Sequence, residues 1–464
     1  MSPTPPSPKA ARRDALAERV SALMPGVRAD LEALVRIPSV SLASADRSHV
    51  DRSAEAVAEL LRGVGVDAEV VRVGGGLPAV IGRRPGQLGA PRVLLYAHHD
   101  VQPAGDEGQW ASLPFEPTER DGRLFARGAA DDKAGVLAHV AALRALGDDL
   151  TADVRVIVEG EEEVGSASLP ALLASHRDTL ECDAIVLADS SNWSVGTPSL
   201  TTTLRGLVRV VVTVRALDHG VHSGMFGGAV PDALTALCRL IATCHEEDGS
   251  VAIDGLRHDP PAELDYPQEQ FRLDSGLRAG GELIGRGPIT SRLWTSPAVT
   301  LIGVDAPGVE DAANVLLPAA RAKLSVRLAP TQDWRSALDA IREHLVSHAP
   351  WGVQVEIEVD DVGDGFVAST TGPYVEAARA SLADAWGVDS VDIGIGGTIP
   401  FIAEFRAQFP DAAILVTGVE DPDTRAHGAN ESLHLAEFER ACLAETLLLD
   451  RIGQLGRAAT EPAS

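Results

Sequence analysis

Residues 93–100 read VLLYAHHD, a short apolar run followed at once by two histidines and an aspartate. The run Val93–Ala97 has the length and composition of a buried strand. Helical spacing follows in Ala134–Leu146, and a second apolar run, Val154–Val158, follows that helix. Strands that alternate with helices in this way indicate a mostly parallel sheet covered by helices. The sequence therefore predicts an α/β domain built around this stretch.

The alternation changes after residue 202 and resumes after about residue 363. Between these points the predicted elements follow the order β-α-β-β-α-β, which is that of a ferredoxin-like domain. A long stretch rich in Gly, Pro and charge, residues 249–296, interrupts this order. We therefore expect a discontinuous α/β domain formed by residues 1–202 and 363–464, with a smaller α+β domain, residues 203–362, inserted in it. Residues 1–9 are rich in Pro and Ser and are expected to form a frayed tail.

The composition argues against several classes of partner. The chain has 464 residues, and 40 basic against 67 acidic residues give a net charge of −27. Nucleic acids and anionic membranes attract basic surfaces, so we expect neither as a partner. No apolar run approaches the roughly 18 residues of a membrane span, and the N-terminal residues lack the apolar core of a secretory signal. The four cysteines, which have no CxxC spacing, are expected to be buried thiols in a reducing cytoplasm: Cys182, Cys238, Cys244 and Cys442.

Three polar segments follow or flank the first predicted strands. In AHHDVQP, His98 and Asp100 share one face of the strand end, and a carboxylate beside a histidine is a common way to orient a metal-binding imidazole. RGAADDKAG places Asp131 and Asp132 at the start of a helix, and EGEEEVGS crowds four glutamates just past a strand: Glu159, Glu161, Glu162 and Glu163. Each segment also has an ordinary structural explanation: a hydrogen-bonded histidine, a helix N-cap, and a solvated charged surface.

Two later segments add to this set. LADSSNW brings Asp189 just past a predicted strand, and RAHGANESLHL brings His427 and His434 ahead of the last helix. An aspartate in a turn is common, and His434 is expected to pack at the helix start. Because ligand sites of open α/β sheets lie at the carboxyl ends of the strands, these segments could converge.

Together these segments supply two histidines and three carboxylates, with a spare carboxylate beside one of them. This set of side chains suits a pair of divalent ions. Imidazole and oxygen ligands without thiolate are typical of Zn²⁺ or Mn²⁺ sites. Two ions bridged by a carboxylate and a water generate a hydroxide nucleophile and polarise a carbonyl group. The spare carboxylate can take the proton of the water and later protonate the leaving amine.

The motifs AHHDVQP, RGAADDKAG, EGEEEVGS, LADSS and AHGANE, in this order, resemble the dinuclear aminoacylase/carboxypeptidase-G metallopeptidase family over about residues 37–434. With VHSGMFGG, SVRLAP and GGTIP, the chain is most similar to the carnosinase-like dipeptidase branch. The resemblance implies an α/β catalytic domain with an inserted ferredoxin-like lid and dimerisation domain, and therefore a homodimer. It also implies two divalent metal ions per chain, with Zn²⁺ preferred and Mn²⁺ as the alternative.

The resemblance further implies a role for each motif residue of the catalytic domain. His98 and Asp189 would bind one ion, Glu163 and His427 the other, and Asp131 would bridge both. Asp100 would orient His98, Glu162 would be the general base, and the Asp131–Asp132 peptide bond would be cis.

In the inserted domain the resemblance implies contacts with the substrate. His222 would reach from the partner subunit to the substrate carbonyl oxygen, and Arg327 would hold the substrate carboxylate, although a strand arginine could instead pair with an acid. Asn314 and Thr398 match further substrate-contacting positions. The chain departs from the branch at Ile395, where these dipeptidases usually have Glu, and in having His219 close to His222.

The leading interpretation is a two-metal hydrolase that cleaves dipeptides or similar short peptides with a free C-terminal carboxylate, using a metal-bridging hydroxide and Glu162 as the base. The alternative in the same family is an N-acyl amino acid amidohydrolase, whose pocket accepts an uncharged acyl group in place of an α-amino group. A non-catalytic, metal-stabilised binding protein is a third possibility. The presence of Glu162 beside Glu163 argues against it, because a scaffold needs ligands but no base.

Overall fold

The computed structural model describes residues 7–397 and 400–456. The chain divides into two compact units: the first is Met1–Thr202, Ala368–Asp392 and Pro400–Ser464, and the second is Thr203–Val367 and Ile393–Ile399. Residues 363–367 and 393–397 therefore fall in the second unit, whereas the sequence pattern assigned them to the first domain. Among the described helices, none combines the length and the apolar character that crossing a membrane requires.

The strands of the described residues are β1 Asp67–Val71, β2 Ala79–Arg84, β3 Arg92–His98, β4 Thr118–Arg120, β5 Arg123–Phe125, β6 Asp153–Glu159, β7 Ala184–Leu187, β8 Ser199–Leu204, β9 Gly206–Arg215, β10 Val221–His222, β11 Ala298–Asp305, β12 Val315–Leu316, β13 Ala319–Leu328, β14 Gln354–Gly363, β15 Phe366–Val367, β16 Val391–Ile395, β17 Ala413–Val416 and β18 Ser432–His434. The helices are α1 Pro8–Val35, α2 Ser48–Arg62, α3 Lys133–Leu146, α4 Leu169–Ser175, α5 Arg177–Leu180, α6 Ser223–Phe226, α7 Ala233–Ala242, α8 Gln268–Asp274, α9 Ile289–Trp294, α10 Trp334–Ser347, α11 Pro373–Trp386, α12 Pro400–Gln408 and α13 Leu435–Gln454.

A six-stranded sheet forms the centre of the first unit, in the order β1-β2-β6-β3-β7-β17. β6, β3, β7 and β17 are parallel; β2 pairs antiparallel with β6, and the edge strand β1 pairs antiparallel with β2. All seven residues of β6 are buried, which is typical of a strand inside a covered parallel sheet. α3 packs against α1 and α13, and only Arg144 of its residues is not buried. The predicted α/β class with a mostly parallel sheet is confirmed.

The second unit contains a four-stranded antiparallel sheet in the order β11-β13-β9-β14. α7 packs against β13 and β9, and α10 packs against β14 and β9. Alternate residues of β9, from Val208 to Val214, are fully buried in the core of this unit because alternate side chains of a strand share one face. The chain order β9-α7-β11-β13-α10-β14 is the predicted ferredoxin-like order, and residues 249–296 hold α8 and α9.

Several short elements have no counterpart in the sequence pattern. They are the antiparallel strands β1 and β2, the three-stranded sheets β18-β5-β4 and β15-β8-β16, and the two-stranded sheet β10-β12. One expectation about the cysteines is wrong: Cys182, Cys244 and Cys442 are buried free thiols, but Cys238 is exposed. Cys238 lies on α7, whose buried positions are occupied by other residues of that helix.

Candidate metal centre

The candidate ligands of the first unit lie where its parallel strands end. β3 ends at His98, which pairs with Glu159 at the end of β6. Asp189 follows β7 by two residues, and the segment after β17 leads to His427. Ligand sites of open α/β sheets form at this edge, because the connections after neighbouring strands meet there.

Asp131 lies between the two histidines. Its Oδ1 is 3.1 Å from Nε2 of His98, and its Oδ2 is 3.0 Å from Nε2 of His427. Oδ2 of Asp189 is 3.9 Å from the same nitrogen of His98, and Oε2 of Glu163 is 3.2 Å from that of His427. The structure thus brings together two groups, His98–Asp131–Asp189 and Asp131–Glu163–His427, whose ligand atoms lie within 4.8 Å of one another.

These two groups, hereafter the first and the second triad, fit divalent metal ions. Each offers one imidazole nitrogen and two carboxylates, a donor set suited to Zn²⁺ or Mn²⁺. They share Asp131, whose two oxygens face different histidines, as a bridging carboxylate requires. The peptide bond between Asp131 and Asp132 is cis, as the resemblance implies.

The Nδ1 side of the His98 ring faces two oxygens of Asp100, one of the main chain and one of the carboxylate. Its Nδ1 donates to the carbonyl oxygen of Asp100 at 3.0 Å, while the distance from Nδ1 to Oδ1 of Asp100 is 3.5 Å. The Asp100 carboxylate also accepts hydrogen bonds from the amides of Glu162 and Glu163, at 3.2 and 3.1 Å. Asp100 is fully buried. Its hydrogen bonds connect the end of β3 to the turn that carries both glutamates.

Glu162 and Glu163 occupy the same short 3-10 turn but have different surroundings. Glu163 belongs to the second triad, and Gln102 donates to both of its carboxylate oxygens, at 3.0 and 2.8 Å. Glu162 belongs to neither triad. Burial, with the negative charges of Asp189 and Glu163, raises the pKa of Glu162 to about 9.

The site carries more negative than positive protein charge. Burial raises the pKa of Asp189 to about 7, and nearby Asp131 and Glu163 add to this shift. Hydrogen bonds to Asp131 and Glu163 raise the pKa of His427 to about 11. Burial acts to lower the pKa of His98, but hydrogen bonds to Asp100 and Asp131 reverse the shift and hold it well above the ordinary value. Divalent cations would offset this crowding of carboxylates.

Helix capping, the ordinary explanation for aspartates at the start of α3, does not account for the contacts that these side chains make. Asp132 occupies the N-cap position of α3, but its side chain makes no capping hydrogen bond. Its Oδ2 accepts from the amide of His98 at 3.1 Å. The following residue, Lys133, is buried and donates to the carbonyl oxygens of Leu34 and Ile37 at 3.0 and 2.7 Å, which ties the end of α1 to this loop. His434, by contrast, does cap α13, accepting from the amide of Glu437 at 3.3 Å.

Three residues that sequence reasoning did not single out lie beside the candidate ligands. Arg127 and Glu431 form a fully buried ion pair at 2.6 Å, and Glu431 contacts the amide of Asp131. Glu420 is fixed next to Asp189 by main-chain hydrogen bonds to Ser190 and Asn192. Arg127 and Glu431 stand inside two of the quoted motifs, RGAADDKAG and AHGANE, but no spacing in the sequence connects them.

The other predicted site residues belong to the second unit. His222 lies at the end of β10, is exposed, and accepts from the amide of Gly224 at 3.0 Å. Asn314 lies close to it: its carbonyl oxygen accepts from the amide of Ser223, and its neighbour Val315 pairs with His222 across β10 and β12. Thr398 lies outside the described residues.

Arg327 lies on β13 between Leu207 of β9 and Ala298 of β11. Within the described residues its guanidinium forms no hydrogen bond or ion pair. Burial lowers its pKa, and the charge of Arg209 lowers it further. The pKa of nearby Arg205 is lowered to about 10 by burial and by the charge of Arg327. The second unit thus holds a half-buried guanidinium that no carboxylate contacts directly.

Comparison with known proteins shows the family and the fold of the chain. The sequence model of peptidase family M20/M25/M40 matches residues 94–451, which include all members of both triads. Cysteinylglycine-S-conjugate dipeptidase of Corynebacterium striatum is 37% identical over 372 residues, which cover 79% of this chain and 82% of that relative. Beta-Ala-His dipeptidase of Rattus norvegicus is 29% identical over 367 residues, covering 74% and 73%. The crystal structure of human carnosine dipeptidase 1 superposes with a TM-score of 0.77 at 23% identity, covering 97% of this chain and 100% of that one, which shows a shared fold.

Proposed function

Because the chain belongs to peptidase family M20/M25/M40, it is a metal-dependent peptide-bond hydrolase, and we propose that it cleaves dipeptides or similar short peptides with a free C-terminal carboxylate. The observation that carries this proposal is the position of Asp131 between His98 and His427. It produces two adjacent ligand triads with a further carboxylate, Glu162, beside them.

In this proposal each triad would hold one divalent ion, and Asp131, which belongs to both triads, would be a ligand of both ions. Such ions supply an activated water and polarise the carbonyl of the scissile bond. The ions are Zn²⁺ or Mn²⁺, in keeping with the imidazole and carboxylate ligands. Asp100 fixes the first triad through its carbonyl oxygen and fixes the Glu162–Glu163 turn through its carboxylate.

Glu162 serves as the general base that takes the proton of the attacking water and passes it to the leaving amine. Its carboxylate is half-buried beside the triads without belonging to either, so it is available for proton transfer. A base in this position contributes typically 10²–10⁴-fold to the rate.

Arg327 holds the C-terminal carboxylate of the substrate, with Asn314 and Thr398 as further contacts. The support is the lack of an ion-pair partner for Arg327 among the described residues, together with its burial. A guanidinium presents a planar fork that matches a carboxylate, so this contact fixes both position and orientation.

A dipeptide fits better than an N-acyl amino acid because of Glu420. Its main chain is held beside Asp189 by hydrogen bonds to Ser190 and Asn192. Burial raises the pKa of its carboxyl group well above the ordinary value, and the charges of Asp131 and Asp189 raise it further. That carboxylate belongs to neither triad and forms no ion pair within the described residues. It can bind the α-ammonium group, which a dipeptide has and an N-acyl amino acid lacks.

We further propose a homodimer formed through the second unit, in which His222 reaches the site of the partner. β11 is an edge strand, and its exposed residues include Leu301, Ile302 and Val304. Exposed apolar edge strands tend to pair with another chain, whereas the opposite edge, β14, carries several acids that discourage pairing. The free thiols of all four cysteines support a cytoplasmic location.

A mixed dimer tests the role of His222. Chains with Glu162→Gln and chains with His222→Ala are each expected to be inactive as homodimers. If His222 acts across the interface, their heterodimer regains one working site. If the mixture is no more active than its parents, His222 does not act in the site of the partner subunit.

The proposed function itself is tested with a substrate panel. Metal-replete protein is offered Cys-Gly and its S-conjugates, β-Ala-His, the C-terminal amides of these peptides, and N-acetyl amino acids. The expected result is hydrolysis of the free dipeptides, with weak hydrolysis of the amides and of the acetyl compounds. Preferential hydrolysis of the acetyl compounds would instead show an amidohydrolase. Glu420→Gln should raise KM for dipeptides and leave that for acetyl compounds unchanged.

A further inference from the structure

The carboxylate of Glu431 is enclosed by the loop that carries Asp131. It accepts hydrogen bonds from Nη1 of Arg127 at 2.6 Å and from the amides of Gly128, Ala130 and Asp131 at 3.0, 3.1 and 3.2 Å. Neither Glu431 nor Arg127 is accessible to solvent beyond 1%. One side chain therefore pairs with three amides of the same loop and with a buried positive charge.

The loop can close around this carboxylate only because residue 128 is glycine. Gly128 has a φ of +77°, a region that residues with side chains rarely adopt. A Cβ at this position would lie 2.5 Å from Cγ1 of Val101. The backbone of Glu431 is fixed as well, because its carbonyl oxygen accepts from the amide of Ala126 and the next residue, Ser432, pairs with Phe125.

The guanidinium of Arg127 also reaches the loop of His427. Its Nη2 donates to the carbonyl oxygen of Gly428 at 3.2 Å and to that of Pro103 at 3.3 Å. His427 itself has a φ of +62°, which lies in the left-handed region of backbone conformation. Contacts from outside the loop must therefore hold its backbone in this conformation. Asn430 adds a second anchor, with hydrogen bonds to the main chain of Gln109 and Ala111.

We propose that the Arg127–Glu431 ion pair positions two ligands of the second triad together. Glu431 fixes the position of the Asp131 backbone, and Arg127 fixes the position of the loop that carries His427. One buried ion pair therefore fixes both ligands relative to each other. The inference rests on the proposed metal site. Glu431 and Arg127 are positioning residues, because neither side chain belongs to a triad.

The test separates metal affinity from fold stability. Metal-free protein is titrated with Zn²⁺ against a competing chelator, and its thermal unfolding is measured without metal. For Glu431→Gln we expect a lower melting temperature and an affinity for the second ion that is about 10–100-fold weaker, as is typical when the partner of a metal ligand is removed. The double variant Arg127→Met/Glu431→Gln leaves no unpaired buried charge, so it should regain part of the stability but none of the affinity.

A matched control is Asp153→Asn at the start of β6. Asp153 is also a buried acid with guanidinium partners, Arg83 and Arg155, but it lies at the opposite end of the strand from Glu159. It should lose stability and keep the affinity for both ions. If the double variant regains affinity together with stability, or if Glu431→Gln binds Zn²⁺ as tightly as the wild type, the pair only stabilises the fold and the inference is overturned. A wild-type chain that binds fewer than two ions would instead refute the proposed site itself.

Discussion

Replacing Glu162 with Gln should abolish turnover while leaving both metal sites intact. The substitution keeps the shape of the side chain but removes its ability to accept a proton. Glu162 belongs to neither triad, and its amide, which donates to Asp100, is unchanged by the substitution. The ligand sets of both ions therefore remain complete in the variant.

The expected loss follows from the role of the base. General-base catalysis contributes typically 10²–10⁴-fold, which corresponds to about 2.7–5.4 kcal/mol of activation free energy. We expect kcat to fall by this factor and the two Zn²⁺ affinities to change little.

The assay is steady-state hydrolysis of a dipeptide at saturating metal, with bound metal measured on the same samples. Glu161→Gln is the matched control, because Glu161 belongs to the same acidic run but its carboxylate accepts from the amides of Leu77 and Ser168. This control should keep its kcat. If Glu162→Gln turns over at a near-normal rate while holding two ions, Glu162 is not the base and the mechanism proposed here is wrong.

Three further predictions concern ligands, substrate and pH. Glu163→Gln removes a member of the second triad, so metal analysis should show that one of two ions is bound much more weakly; unchanged stoichiometry at limiting metal would exclude Glu163 as a ligand. Arg327→Ala should lower kcat/KM for dipeptides by roughly 30-fold or more, since losing one partner of a buried charge pair costs on the order of 2–5 kcal/mol; the variant should also no longer prefer free dipeptides over their amides. Burial acts to lower the pKa of His139, but Glu445 raises it above the ordinary value. The wild type should therefore have a larger free energy of unfolding than Glu445→Gln. This difference should be greatest at pH 6.5 and below, and it should shrink as the pH rises through the raised pKa of His139. A difference that grows with pH would contradict the prediction.

The parts of the fold that the sequence predicted are those with a local signal. The apolar runs of β3 and β6 and the helical spacing of α3 are dictated by side chains close together in the chain, and each was located to within one or two residues. The strands β5 and β18 had no such signal. They pair Phe125 with Ser432, and a short strand of this kind exists only because a distant segment lies beside it.

The candidate site likewise combines residues that the sequence predicted with contacts that it could not predict. The residues of both triads stand in recognisable motifs, so the chemistry of the ligands could be predicted. The contact of Glu431 with the amide of Asp131 could not, because it joins residues 300 positions apart through backbone atoms. The hydrogen bonds of the Asp100 carboxylate were missed for a related reason: they go to main-chain amides, which every sequence contains.

The most direct test of the two-metal peptidase is to titrate metal-free protein with Zn²⁺ or Mn²⁺ while following bound metal and dipeptide hydrolysis on the same samples. The shared position of Asp131 predicts that hydrolysis rises until two ions are bound per chain and then levels off. Full activity at one ion per chain, or no hydrolysis of any dipeptide by protein that holds two ions, would contradict it.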